Sequence, residues 1–164
     1  HSVRILIAAP TFELASQIKQ MVAAVSEYKT ALFIGGAPIK RQIEALKEKP
    51  RIAVGTPARL IELIRLKKLK VQNVMAAVFD EADRLIKKEL KTEAETLKSL
   101  LPKDAQLIAC SATADSKTQR FFFPAETLIL PAENVLTRSI TGRSMPKAGI
   151  KSIRSDAFCL LRSL

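Results

Sequence analysis

The 164-residue chain is 48% hydrophobic and 26% charged, which excludes a disordered protein and gives room for one domain with a real core but not for two. Lys and Arg outnumber Asp and Glu by 27 to 16, and a net charge of +11 favours a polyanionic partner, nucleic acid or an anionic membrane surface. Cys110 and Cys159 are far apart in the sequence and lack metal-ligand spacing, so they read as reduced thiols inside a cell and exclude a disulfide framework, and no apolar run approaches a membrane span.

The chain starts at His1 without a lead-in, and a strand-like run VRILIAA (3–9) follows at once, as in a piece of something longer. From Thr11, the spacing Leu14, Ile18, Met21, Val22, Val25 predicts an amphipathic helix. TALFI (30–34) is strand-like and ends at Gly35-Gly36. Ile39, Ile43 and Leu46 give a second helical stripe, and RIAV (51–54) a short strand. Thr56-Pro57 opens a third helix, with Thr as N-cap and Pro in the first turn. VMAAVF (74–79) and QLIAC (106–110) read as buried strands, and LIKKELKTEAETLKSLL (85–101) as helical. A helix over 115–123 and a strand at TLIL (127–130) complete this unit at about residue 131. Residues 132–164 are polar and basic and read as a linker or extension, whose last stretch DAFCLLRSL regains a helical apolar pattern.

Strands that are apolar throughout, alternating with helices, imply a parallel sheet covered on both faces, a three-layer α/β/α fold. Crossovers of one hand then put the carboxyl ends of all strands on one edge, where such folds bind ligands. The polar endings align there: Pro10-Thr11, Gly35-Gly36, Gly55-Thr56-Pro57, Asp80-Glu81-Ala82-Asp83 and Ser111-Ala112-Thr113. An Asp-Glu pair at a strand end fits the acidic half of a nucleoside triphosphate site, with the aspartate on Mg²⁺ and the glutamate on the attacking water. It would equally serve as acidic capping for a following helix, and the dipeptide alone leaves both readings open.

The words PTFELA (10–15), GG (35–36), TPAR (56–59), DEAD (80–83) and SAT (111–113) occur in the order and rough spacing of the DEAD-box RNA helicases. Over about residues 3–131 the chain resembles the first RecA-like domain of that family. The resemblance implies an ATP-dependent RNA helicase that unwinds short duplexes as two RecA-like domains close on RNA, with ATP and Mg²⁺ as cofactors. It implies roles residue by residue: Asp80, binding Mg²⁺ through water, and Glu81 are catalytic. Asp83, Ser111 and Thr113 couple nucleotide state to strand separation. Pro10, Thr11, Glu13, Gly35, Gly36, Thr56, Pro57 and Arg59 belong to the surface that grips the RNA backbone without reading bases. Helix N-termini after Thr11 and Thr56 suit phosphate, and Arg59 would add a charge-assisted contact. Ser111 and Thr113 are also candidate N-caps for the helix starting near Asp115.

Two positions depart from the family words. Phe12 stands where Arg is usual, removing a phosphate contact and offering a ring that can stack on a base, and Ala58 replaces Gly. The basic run RLKKLK (65–70) with Lys87, Lys88 and Lys91 reads as the solvated outside of helices more than as an RNA surface. The chain has no G-x-x-x-x-G-K-[ST] loop, nor the family's upstream glutamine motif or second RecA-like domain, of which DAFCLLRSL resembles at most the first helix. ATPase activity is therefore not expected of this chain alone, and the alternative is a module that holds RNA or a protein without turnover. The family's phosphate-loop strand lies inside the sheet, so its omission should leave neighbouring strands with unpaired backbone groups, met by further residues in preference to a rearrangement or pairing with a second copy.

Overall fold

A computed structural model describes residues 2–113 and 116–122 with their side chains, and the backbone of two further strands at 128–131 and 158–161. In chain order the elements are β1 (Ile5–Ala8), α1 (Phe12–Val25), β2 (Thr30–Phe33), α2 (Ile39–Lys47), β3 (Ile52–Gly55), α3 (Pro57–Arg65) and β4 (Ala76–Phe79). These are followed by α4 (Ala82–Leu85), α5 (Lys91–Leu100), β5 (Gln106–Ser111), α6 (Ser116–Phe122), β6 (Leu128–Pro131) and β7 (Phe158–Leu161). The sheet order is β2-β3-β1-β4-β5-β7-β6. β1 to β5 pair in parallel throughout, as expected, whereas β7 is antiparallel to both β5 and β6.

Strand order explains which face each helix covers. The step from β1 to β2 runs toward one edge, and the steps β2 to β3, β3 to β4 and β4 to β5 all run the other way. With crossovers of constant hand, α1 must lie alone on one face and the later helices on the other. The two apolar clusters divide accordingly. Leu14, Ile18 and Val22 of α1 pack on Ile5, Ile7, Ile52 and Val54. Leu60 and Leu63 of α3, Leu85 of α4, Ala94 and Leu97 of α5 and Phe122 of α6 pack with Leu6, Ala8, Ala53, Ala77, Phe79 and Ala109 on the opposite side. Successive side chains of β1 thus serve different cores, as the pleat requires. Met21 and Val25, counted in the predicted stripe of α1, instead point to solvent, at 69% and 79% exposure.

Three further expectations need correction. The stretch 85–101 is not one helix: α4 stops at Leu85, and turns bridge to α5, with Lys91 N–H donating to the Lys87 carbonyl at 2.9 Å. Leu85, Ile86, Leu90, Ala94 and Leu97 can all reach the core only if the axis breaks there. The run RLKKLK lies on a turn, because α3 ends at Arg65, Lys67 takes a positive φ of 56°, and the Lys68 and Leu69 N–H groups return to the Leu63 carbonyl. Lys68 and Lys70 are exposed there while Leu69 anchors the turn in the core.

The third concerns DAFCLLRSL, where Phe158–Leu161 forms strand β7 against β5 and not a helix. Four apolar residues cannot distinguish the two periodicities, and a helix would leave the N–H and C=O groups along β5 without partners. Closure of that edge from within the chain brings Cys110 into register with Cys159. Residues 132–157 and 162–164, read above as linker or extension, lie outside the described residues.

Gly55 ends β3 beside Phe33 of β2, and a Cβ built there would stand 2.2 Å from the Phe33 carbonyl oxygen. That oxygen already accepts the Thr56 N–H at 3.0 Å, so neither strand can yield without losing the bond. Gly55→Ala should cost about 2 kcal/mol or more, within the usual range for overpacking. An unchanged urea midpoint, followed by circular dichroism, would refute this.

Candidate functional site at the carboxyl edge of the sheet

The ladder continues one bond past the strand ends. Ala9 N–H donates to the Gly55 carbonyl, Thr56 N–H to Phe33 and Asp80 N–H to Ala8, at 3.0, 3.0 and 2.9 Å. These bonds fix the first residue of each loop, so the edge is assembled by backbone before any side chain contributes. Four of the predicted segments (Pro10-Thr11, Gly35-Gly36, Thr56-Pro57 and the DEAD residues) follow four adjacent strands, β1 to β4, and Ser111–Thr113 ends the next, β5.

Asp80 follows Phe79, which is fully buried and packs on Phe122 with ring centroids 4.9 Å apart. Its Oδ1 accepts the Glu81 N–H at 2.9 Å, and its other oxygen has no partner among the described residues. Burial holds the Asp80 carboxyl above the usual aspartate range; the Glu81 N–H opposes the shift and the Glu81 charge adds to it. Glu81 takes left-handed backbone angles (φ 46°, ψ 51°), which turn the chain out of the strand and into α4. Its carboxylate pairs with Arg84, one turn on. Asp83 Oδ1 accepts the Arg84 N–H at 3.0 Å, and Asp83 Oδ2 accepts the Thr113 hydroxyl at 3.2 Å across 30 residues of sequence.

Only part of the expected Asp83–Ser111–Thr113 set therefore meets. Ser111 is 3% exposed and its Oγ accepts the Thr113 N–H at 3.3 Å, forming a local turn that presents Thr113, but not Ser111, to Asp83. The expected capping of the helix near Asp115 falls on residues 114 and 115, outside the described residues.

On the other half of the edge, Thr11 caps α1, its Oγ1 accepting the Leu14 N–H at 3.3 Å. Phe12 and Glu13 begin that helix exposed, Phe12 at 50%. Thr56 occupies the N-cap position of α3 with Pro57 at N1, but its hydroxyl makes no capping bond. Gly35 and Gly36 are exposed, a Cβ at either would meet nothing within 4 Å, and only Gly36 needs glycine for its φ of 79°.

Arg59 departs from the expected free cation. A helical side chain leans toward the N-terminus of its helix, and here the guanidinium is folded inward at 13% exposure. It donates to the Ala37 carbonyl at 3.1 Å and pairs with Glu62 at 2.9 Å. Sequence reasoning missed Gln42 altogether. It is 5% exposed, donates to the Ile34 and Ala37 carbonyls at 2.8 and 3.3 Å, and accepts the Ile34 N–H at 3.1 Å. A polar residue beside the apolar positions Ile39, Ile43 and Leu46 was the available signal.

The acidic residues do not make a complete metal centre: no group of three or more His, Cys, Asp or Glu side chains gathers among the described residues. A single half-buried carboxylate fits a cation held mainly by phosphate and water, and would gain most from one, because burial penalises its bare charge. The sign of that penalty is testable without metal. A carboxyl with a raised folded pKa subtracts stability once pH exceeds its unfolded value, about 3.9. Asp80→Asn should therefore raise the melting temperature at pH 7 in chelator, and the gain should shrink as pH falls toward 4. A variant less stable than the parent at pH 7 would contradict the assignment.

Comparison with known proteins bears on the same strands. The DEAD/DEAH box helicase family model matches residues 1–121. The DEAD-box ATP-dependent RNA helicase CshC of Bacillus cereus is 43% identical over 113 residues, which is 67% of this chain and 29% of CshC. Among solved structures, a DEAD box protein from the hyperthermophile Methanococcus jannaschii is 31% identical with a TM-score of 0.67, over 71% of this chain and 33% of that one. S. cerevisiae Dbp5 bound to RNA and ADP BeF3 is 26% identical with a TM-score of 0.64, over 76% of this chain and 33% of Dbp5. This chain thus spans about a third or less of the length of these proteins. Because the matched residues include all five strands that build the edge and both acidic and hydroxyl loops, the chain belongs to the DEAD/DEAH box helicase family.

Proposed function

We propose that this chain is the RNA-gripping and carboxylate-bearing part of an ATP-dependent RNA helicase, an enzyme that couples ATP binding and hydrolysis to unwinding or remodelling RNA duplexes. The observation that carries the reading is the Asp83–Thr113 hydrogen bond, which ties the loop holding Asp80 and Glu81 to the end of β5. A change in charge or ligation at the carboxylates is felt one strand away through that bond. Dbp5, similar over most of this chain, binds RNA and ADP BeF3, which supports a nucleotide and an RNA as ligands of this edge.

In this reading Asp80 would hold Mg²⁺ through water, and Glu81, once released from Arg84, would orient the attacking water. When bound, the metal supplies charge neutralisation on the phosphates. The start of α1 at Thr11, the open backbone at Gly35-Gly36 and the uncommitted hydroxyl of Thr56 at the start of α3 receive RNA phosphates and sugars. Residues 1–131 form the first RecA-like domain, whose sheet also takes in Phe158–Leu161, and a second RecA-like domain of the parent protein completes both sites. The setting is intracellular, and no helix among the described residues is long and apolar enough to cross a membrane. A module that holds RNA without turnover is the second reading, favoured by Phe12 where the family words carry Arg.

RNA-stimulated ATP hydrolysis separates the two. The chain alone, without a phosphate-cradling loop, should show none, and joined behind the upstream region of CshC it should show activity that Glu81→Gln abolishes. Absent turnover in the folded joined protein would favour the second reading, and turnover indifferent to RNA would fit neither. Gly35→Ala should leave stability within about 0.5 kcal/mol, since φ is ordinary and space is open, yet weaken RNA binding; Gly36→Ala should cost about 1 kcal/mol as well. Equal RNA affinity for Gly35→Ala would remove this turn from the interface. Phe12→Arg should steepen the salt dependence of single-stranded RNA binding by about 0.7 in log–log slope, one phosphate contact's worth, and an unchanged slope would place residue 12 away from the backbone.

A further inference from the structure

Gln42 and Arg59 have no role in the family words as read above beyond a phosphate contact assigned to Arg59, yet both are turned inward onto the flanks of one exposed turn. Gln42 satisfies both backbone groups of Ile34, just before Gly35, and shares the Ala37 carbonyl, just after Gly36, with Arg59. Arg59 is in turn held by Glu62 on the same helix, α3, whose N-terminus lies on the same edge. The turn between these pins has nothing within 4 Å of either glycine Cβ position. Its shape is thus set at both ends and by nothing over its middle.

We propose that Gln42 and Arg59 are positioning residues: a clasp that holds the Gly35-Gly36 turn at a fixed distance from the start of α3, so that one RNA backbone can lie across both. The proposal rests on the RNA-binding reading above. Its physical basis is preorganisation. A two-glycine turn has wide conformational freedom, and RNA binding to a loose turn would have to restrict it at the moment of contact. Glutamine suits the task because Ile34 presents one donor and one acceptor, and its amide answers both while a second N–H reaches Ala37; a glutamate would accept from the N–H but repel the two carbonyls. Arg59 acts through Ala37 and not on phosphate, which is the opposite of the role its sequence position implies.

The test uses the whole chain and a fluorescein-labelled decauridylate as probe, with anisotropy titrations over a range of salt. Gln42→Leu and Arg59→Gln are each compared with the parent at a temperature where circular dichroism shows full folding. Both should weaken binding about tenfold, with the salt slope unchanged, because no phosphate contact is removed. In parallel, Ile34 amide exchange should quicken in Gln42→Leu while exchange in β1 and β4 does not. A slope lower by about 0.7 in Arg59→Gln would make that residue a direct phosphate ligand and overturn its part. Parent-like affinity in either folded variant would overturn the clasp while leaving RNA binding intact. Failure of the parent chain itself to bind the probe would overturn the functional reading and the clasp with it.

Discussion

The acidic loop and the starts of α1 and α3 depend on the backbone bonds that extend the parallel ladder past the ends of β1, β3 and β4. Ala9, Thr56 and Asp80 each donate to a carbonyl on the neighbouring strand, so the loops that carry Thr11, Pro57 and Glu81 start from fixed points. Because parallel neighbours all end on the same side, these starts share one edge, and the spacing between them is that of adjacent strands, about 4.8 Å. The close fit of Gly55 against Phe33 belongs to the same constraint: a side chain there would wedge two strands apart where their ends must stay level. Chemistry is added to a frame that the main chain has already set.

The acidic loop runs against the economy of the rest. Phe79 and its contact with Phe122 anchor the end of β4 in the larger core, and the very next residue is a carboxylate that burial disfavours. Glu81 then takes left-handed angles that a β-carbon resists, and Arg84 offsets its charge. Strain and unfavourable burial concentrated on consecutive residues, with strong packing on either side, is the pattern of a site retained for binding at some cost in stability. The Asp83–Thr113 bond gives that site a mechanical neighbour, since β5 has no other side-chain link of this kind to the acidic loop among the hydrogen bonds described.

The two halves of the edge differ in what holds them. On the acidic side, side chains reach across from strand end to strand end. On the glycine side, the exposed turn is bare and its order comes from behind, through Gln42 and Arg59. Such an arrangement leaves the backbone of the turn exposed while the flanking charged side chain is drawn inward. One turn into its helix, Arg59 is placed to reach either outward or to the loop behind, and the Ala37 carbonyl together with Glu62 takes it inward.

Apolar runs such as Leu6–Ala9 and Ala76–Phe79, each followed by polar residues, were enough to locate the five parallel strands, the helices between them and the shared edge, because buried parallel strands must be apolar on both faces. Pro57 as a first helical residue was equally local, since it acts within one turn, although the capping bond expected of the Thr56 hydroxyl does not form. What needed the tertiary structure were the features with distant or competing partners. The break after Leu85 has no Gly or Pro to announce it and follows from the core's demand for Leu85, Leu90 and Leu97 together. Phe158–Leu161 is a strand because β5 offered an edge, and Ser111 accepts the Thr113 N–H while Asp83 takes the Thr113 hydroxyl. Sequence alone determined what repeats at the period of a strand or helix; three-dimensional packing decided the rest, because a buried hydrogen-bonding group takes the partner that is near in space, and nearness in space across 20 or 30 residues is not written in any local pattern.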